Sequence, residues 1–175
     1  MRVIIVSGVP GSGKTTVARM LATRFERAAH IESDLVGERF IVSGMVPPQG
    51  PPQDEAAAQL RLRRTNMCLL ADSFADAGFV PVIDDVVVSP GVLDRYRQQL
   101  RTRPLLLVEL VPSLDVVQAR DRDRDKHVFS LWRHLDDQLR TSMPRVGLWI
   151  DTSDMTAEQT VDAIMDGLDE AAILG

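Results

Sequence analysis

Cysteine is almost absent from this 175-residue chain, and the single Cys68 rules out both an intrachain disulfide and a cysteine-built metal cluster. Its neighbours Met67, Leu69 and Leu70 mark it as a core thiol rather than a nucleophile. No apolar run approaches the roughly 18 residues that a membrane span needs, so neither a span nor a signal peptide is expected, and the sparing cysteine use fits a cytoplasmic setting. A basic excess is missing too. The formal net charge of −5 argues against a nucleic-acid binder working through a large basic surface. His30, His127 and His134 show no metal-ligand spacing and read as structural or surface residues. Lysine is rare: only Lys14 and Lys126 interrupt a basic complement that is otherwise arginine. There is no internal repeat and no low-complexity tail, and the length predicts one domain over residues 1–175.

Glycine, by contrast, is concentrated where it counts. Residues 8 to 15 read Gly8-Val9-Pro10-Gly11-Ser12-Gly13-Lys14-Thr15, which fits G-x-x-x-x-G-K-[ST], the Walker A pattern. The apolar run Val3 to Val6 precedes it and a helical pattern from Thr16 follows, which is the strand-loop-helix context the motif requires. Glycines let successive backbone N–H groups turn inward around phosphate oxygens, and the helix N-terminus adds positive potential. Gly8, Pro10, Gly11, Ser12, Gly13, Lys14, Thr15 and Thr16 are therefore the expected nucleotide-binding residues, with Lys14 reaching the terminal phosphates and the Thr15 hydroxyl ligating Mg²⁺.

Strand-like runs recur at residues 3–6, 28–31, 80–88, 105–111 and 148–150, with helical patterns between them at about 14–27, 54–77, 91–101, 113–125, 130–141 and 156–173. This alternation predicts an α/β fold, a five-stranded parallel sheet covered by helices on both faces. In the second helix Leu60, Met67, Leu70 and Phe74 form the expected apolar stripe, and Gly78 is placed to end it. Pro81 is awkward in a central strand, so the third strand is expected to begin after it. The segment 37–53 contains the proline-rich stretch Val46 to Gln53, which reads equally as a passive linker or as a lid over an acceptor.

A Mg²⁺-nucleotide site needs a second carboxylate at the end of a buried strand. Phe79 to Asp85 supplies it in the manner of a Walker B strand: Asp84 ends the apolar run, while Asp85 points to the other face. Asp34 follows the short second strand, at the end of the sheet where a ligand crevice opens, and there it would orient an acceptor hydroxyl and take its proton. Glu32 is a weaker candidate for that role, and the competing reading makes Ser33 or Asp34 an N-cap for the segment that starts at Leu35. Arg120 and Arg124 share one helix face at i,i+4, with Arg122 turned about 200° away from Arg120. That pair could close over the phosphates from a lid at about residues 119–130, or could lie solvated among the alternating aspartates. Arg39, Arg63 and Arg64 could read an anionic acceptor but read more simply as snorkelling side chains.

Together the phosphate loop, the acid after the second strand, Asp84, the arginines near residues 120–124 and the stretch Ile150-Asp151-Thr152-Ser153 resemble the small P-loop kinases. The chain is most similar to the chloramphenicol phosphotransferase-like group, with shikimate and gluconate kinases as broader relatives. The resemblance implies ATP and Mg²⁺ as cofactors, Asp34 as the acceptor-activating acid, Arg120 and Arg124 in a mobile lid, and Ser153 in a loop beside adenine. Asn66 is the sole asparagine and no Lys-x-Asp follows it, so the guanine-reading N-K-x-D is missing and ATP is expected over GTP. The length also leaves no room for the extra helical domain of ring-forming mechanical ATPases. The expected activity is transfer of the γ-phosphoryl of Mg-ATP to a hydroxyl of a small molecule, an antibiotic or metabolite. The same chemistry on a nucleotide-sugar, resembling zeta-type toxin kinases, and a non-catalytic ATP-dependent binding module are the alternatives. The partner expected is a small hydroxyl-bearing acceptor, with no nucleic acid and no membrane; association of copies stays open.

Overall fold

All five residues of the first strand are buried, which places this strand at the centre of a sheet with helices on both sides. The computed structural model describes residues 1–122 and 129–174. Strand and helix alternate as β1 (Val3–Ser7), α1 (Lys14–Ala22), β2 (Ala28–Glu32), a π-helical turn (Leu35–Arg39), α2 (Gln53–Asp76), β3 (Val80–Asp85), α3 (Pro90–Gln99), β4 (Leu105–Leu110), α4 (Leu114–Arg122), α5 (Phe129–Ser142), β5 (Leu148–Ile150), α6 (Ala157–Asp166) and β6 (Ala172–Leu174). The parallel strands lie in the order β2-β3-β1-β4-β5. No helix among the described residues is long and apolar enough to cross a membrane.

The pleat divides the core in two. Ile4, Val6, Val82, Leu106 and Val108 face α1 and α6, where Val17, Ala18, Leu21, Val161 and Ile164 meet them. Val3, Ile5, Ile83, Leu105 and Leu107 face the opposite layer, with Met67 and Ala71 of α2, Leu93 and Tyr96 of α3 and Leu139 of α5. Each fully buried aliphatic side chain contributes about 1.5–3 kcal/mol.

Three expectations need correction. The last helix was expected to run to Ile173, but α6 stops at Asp166 and Gly167, and the chain returns as β6 antiparallel to β4. The reason lies in β5, which is so short that it pairs only with Val108–Leu110. The lower half of that edge is completed by β6 at Leu105 and Leu106 and by the bond from Leu107 N to Ala171 O at 2.8 Å. Pro81 lies inside β3 rather than before it. It is tolerated because pairing with β1 begins only at Val82. Phe74 is exposed, resting edge-to-face on Phe79, and the buried face of α2 runs instead through Ala56, Arg63, Met67, Cys68, Ala71 and Ala75. Gly78 does end α2, at φ 85°, with Phe79 N donating to Phe74 O.

Candidate active site

The phosphate-binding loop leaves β1 after Ser7 and enters α1 at Lys14. Gly11 and Gly13 adopt φ of 90° and 91°, which L side chains rarely adopt, and a Cβ on Gly11 would come within 2.9 Å of Val117. Gly8 is just as tightly held, since a Cβ there would meet Ser12 Oγ at 2.5 Å and Leu110 O at 2.8 Å. The turn is fixed by Ser12 N donating to Val9 O, and α1 starts with Val17 N on Gly13 O. The N–H groups of Lys14, Thr15 and Thr16 precede that first helical bond and have no carbonyl within the helix to meet. This loop geometry fits a nucleotide phosphate chain: a glycine-rich turn, a helix N-terminus and a lysine together.

Asp84 and Asp85 end β3 on opposite faces. Asp84, level with Val6 of β1 and Glu32 of β2, is 1% exposed on the α1 side. Its Oδ2 lies 3.0 Å from His30 Nε2, and its Oδ1 accepts from Ser33 N at 3.4 Å. Each of these oxygens keeps a second lone pair, so Asp84 with the Thr15 hydroxyl offers the hard oxygen donors that Mg²⁺ takes in phosphate sites. Among the described residues no group of three or more His, Cys, Asp or Glu forms a protein-only metal cage. A metal at this site would share its coordination with the phosphates.

Asp85 belongs to a different constellation. Arg64 Nε donates to its Oδ2 at 2.7 Å, Tyr96 O–H donates to the same oxygen at 2.9 Å, and Arg63 Nη2 lies 3.5 Å from Oδ1. Burial alone would raise this carboxyl, but the Arg64 and Arg63 guanidiniums outweigh it and hold Asp85 below the usual carboxylate range. Burial, reinforced by the Asp85 charge, drives the Tyr96 phenol well up. Arg63 and Arg64 are thus not snorkelling side chains: their charges are paired with a carboxylate inside the protein.

Asp34 stands just beyond β2. Its side chain makes no capping bond to the π-helical turn and is largely exposed, with Arg63 Nη1 at 3.4 Å from Oδ1. It opens into a polar cleft shared with Arg19 of α1, Glu32, Glu38 and Arg39. Arg63 therefore spans two carboxylates, one buried and one in the cleft.

On the other side of the loop, Arg120 donates to Ser12 O at 3.1 Å and to Thr152 O at 3.3 Å. It ties the phosphate loop to the segment after β5, where Ser153 accepts from Ser113 N and bonds to Asp151. The buried Oγ atoms of Ser12 and Thr152 have no hydrogen-bond partner among the described residues. Arg124 and half of the expected lid, residues 123–128, lie outside the described residues.

Sequence reasoning passed over Glu109. It sits on β4 level with Ser7, fully buried, and neither carboxylate oxygen has a hydrogen-bond partner among the described residues. Burial pushes its carboxyl up to about 8. The adjacent Ser7 hydroxyl offsets this only in part, because it is engaged with the backbone of Val87. A lone acid inside the run Leu105-Leu106-Leu107-Val108-Glu109-Leu110 was the available signal.

The profile of a family described as an AAA domain matches residues 3–144. Among solved structures, a sugar kinase from Janibacter sp. HTCC2649 is similar at 25% identity and a TM-score of 0.71, covering 98% of this chain and 96% of that one. The tunicamycin resistance protein of Deinococcus radiodurans shares the fold at 20% identity and a TM-score of 0.66, with 95% of each chain covered. So does a gluconokinase from Sinorhizobium meliloti, at 23% identity and a TM-score of 0.65, covering 97% of this chain and 92% of its own. No curated protein matches significantly.

Proposed function

The chain belongs to the AAA domain family, within its P-loop kinases, and on that footing we propose that it moves the γ-phosphoryl of Mg-ATP to a hydroxyl of a small molecule. The observation that carries this reading is Asp34: an exposed carboxylate at the C-terminal end of β2, free of any capping role, facing a cleft that the phosphate-loop helix also borders. In a parallel α/β sheet this is where an acceptor meets a nucleotide.

In the proposed reaction the acceptor hydroxyl oxygen bonds to the γ-phosphorus while the bridging bond from that phosphorus to the β-phosphate oxygen breaks. ADP leaves with the electron pair, and the hydroxyl proton passes to an Asp34 carboxylate oxygen. Thr15 and Asp84 would hold Mg²⁺, which would supply positive charge to offset that of the phosphates. Lys14 would stabilise the transferring group together with Arg120, which is bonded to Ser12 O of the phosphate loop, and Arg124 is assigned to the lid on sequence grounds alone.

The test is ADP release from Mg-ATP across a panel of hydroxyl-bearing acceptors, with the product weighed by mass spectrometry. Stimulation by an acceptor and a mass gain of one phosphoryl group support the reading. In Asp34→Asn, ATP binding should persist while transfer falls roughly 10²-fold or more. Near-parental transfer in that variant would remove Asp34 from the role, and nucleotide binding with no stimulated turnover would favour a binding module.

A further inference from the structure

Asp34 projects from the end of a strand, where little holds its side chain. That side chain is 68% exposed and makes no bond to the turn it precedes. An aspartate so placed exchanges among staggered rotamers unless something stops it. The backbone beside it is secured, because Ser33 is buried and its N–H donates to Asp84 Oδ1. For the carboxylate itself the partner among the described residues is Arg63, whose Nη1 lies 3.4 Å from Oδ1.

Arg63 is anchored from the opposite direction. Its side chain is 9% exposed, and its other terminal nitrogen, Nη2, lies 3.5 Å from Oδ1 of the fully buried Asp85. Asp85 is fixed in turn, since its Oδ2 accepts from both Arg64 Nε and the Tyr96 hydroxyl. Gly37 completes the seat. A Cβ there would strike Arg63 Cδ at 2.6 Å and come within 3.2 Å of Nη1, so the guanidinium lies against the turn because residue 37 has no side chain. An ion pair with one exposed partner adds little stability, so what this contact governs is where the carboxylate points. Shared between two anions, the guanidinium also has little charge left to offer an anionic acceptor.

We propose that Arg63 is a positioning residue for Asp34: anchored on Asp85, it fixes one rotamer of the carboxylate through Oδ1 and leaves Oδ2 for the proton of the acceptor hydroxyl. The transfer step rests on the phosphotransferase reading; the fixed rotamer does not. Because Arg63 acts on the acid and not on either substrate, its loss lowers kcat and leaves KM alone.

Two variants test this. Arg63→Met removes the guanidinium, and Gly37→Ala displaces it without removing a charge, which also covers the case in which Arg63→Met folds poorly. NMR on the isotope-labelled full chain, with Mg²⁺ and a non-hydrolysable ATP analogue, reads the Hα–Hβ couplings of Asp34. The parent should show a single staggered rotamer, and both variants should show rotamer averaging while still binding the analogue. In the transfer assay, with the panel acceptor that gives the largest parental kcat/KM, kcat should fall about 10–10²-fold in Arg63→Met and about tenfold in Gly37→Ala. Both KM values should stay within about twofold. In an Asp34→Asn background, Arg63→Met should change the residual rate by less than about twofold, since the group it positions is gone. Averaged couplings in the parent, an unchanged rotamer in both variants, a loss confined to KM, or a full further loss in the Asp34→Asn background would overturn the proposal. A rotamer fixed in the parent and released in both variants, with no transfer to any acceptor, would keep the hold of Arg63 on Asp34 and discard the phosphotransferase reading.

Discussion

Glu109→Gln should make this protein more stable, and increasingly so as pH rises. The unfolded chain releases the Glu109 proton near 4.5, whereas the folded chain holds it until about 8. Between those values the folded state binds the proton that the unfolded state has lost, so the contribution of this group to stability falls with pH and levels off above 8. At about 1.4 kcal/mol per tenfold in proton affinity, the full displacement corresponds to about 5 kcal/mol, of which about 4 is lost between pH 5 and pH 9. Relaxation around a new charge reduces this, and about 2–4 kcal/mol is expected. Glutamine keeps the shape and removes the titration. Urea unfolding followed by circular dichroism, run on both chains from pH 5 to pH 9, isolates the effect because every other titrating group is common to both. A parent-to-variant difference constant to within about 0.5 kcal/mol over that range would refute the reasoning.

Two further outcomes follow from the site geometry. Arg64→Met removes the guanidinium 2.7 Å from the buried Asp85 and leaves that carboxylate with Tyr96 and the more distant Arg63. A loss of about 3 kcal/mol in urea unfolding is expected, and an unchanged midpoint would mean that Asp85 is not held as an anion. Gly11→Ala places a Cβ at φ 90° within 2.9 Å of Val117, which should cost about 1–3 kcal/mol and diminish the thermal shift produced by Mg-ATP. An unaltered shift would show that the loop accommodates a side chain where its geometry leaves no room.

Much of the fold was legible because its signals are local. The strand runs, the phosphate-loop motif and the glycine that ends α2 each announce themselves within a few residues. The failures are contacts between distant segments. Nothing near residue 172 says strand; β6 forms because the short β5 leaves part of β4 unpaired. Arg63 and Arg64 read as surface arginines because their anion, Asp85, lies some twenty residues away on another element, with no i,i+4 acid to suggest it. Asp34 was legible as a candidate from its place after β2, but its bond to Arg63 was not. Likewise Arg120 was legible as a candidate from its spacing to Arg124, while its attachment to Ser12 and Thr152 depends on how two loops meet.

The adjacent aspartates of β3 have a consequence for variants of this chain. In composition they are interchangeable, yet the zigzag of the strand gives one to His30 and Ser33 and the other to Arg64 and Tyr96. Removing a single residue upstream within β3 would advance the frame by one slot: the second aspartate would fall into the first one's seat, and Val86 would face two arginines inside the protein. A length change of one therefore does more damage here than substituting either acid alone, although both aspartates would still be present.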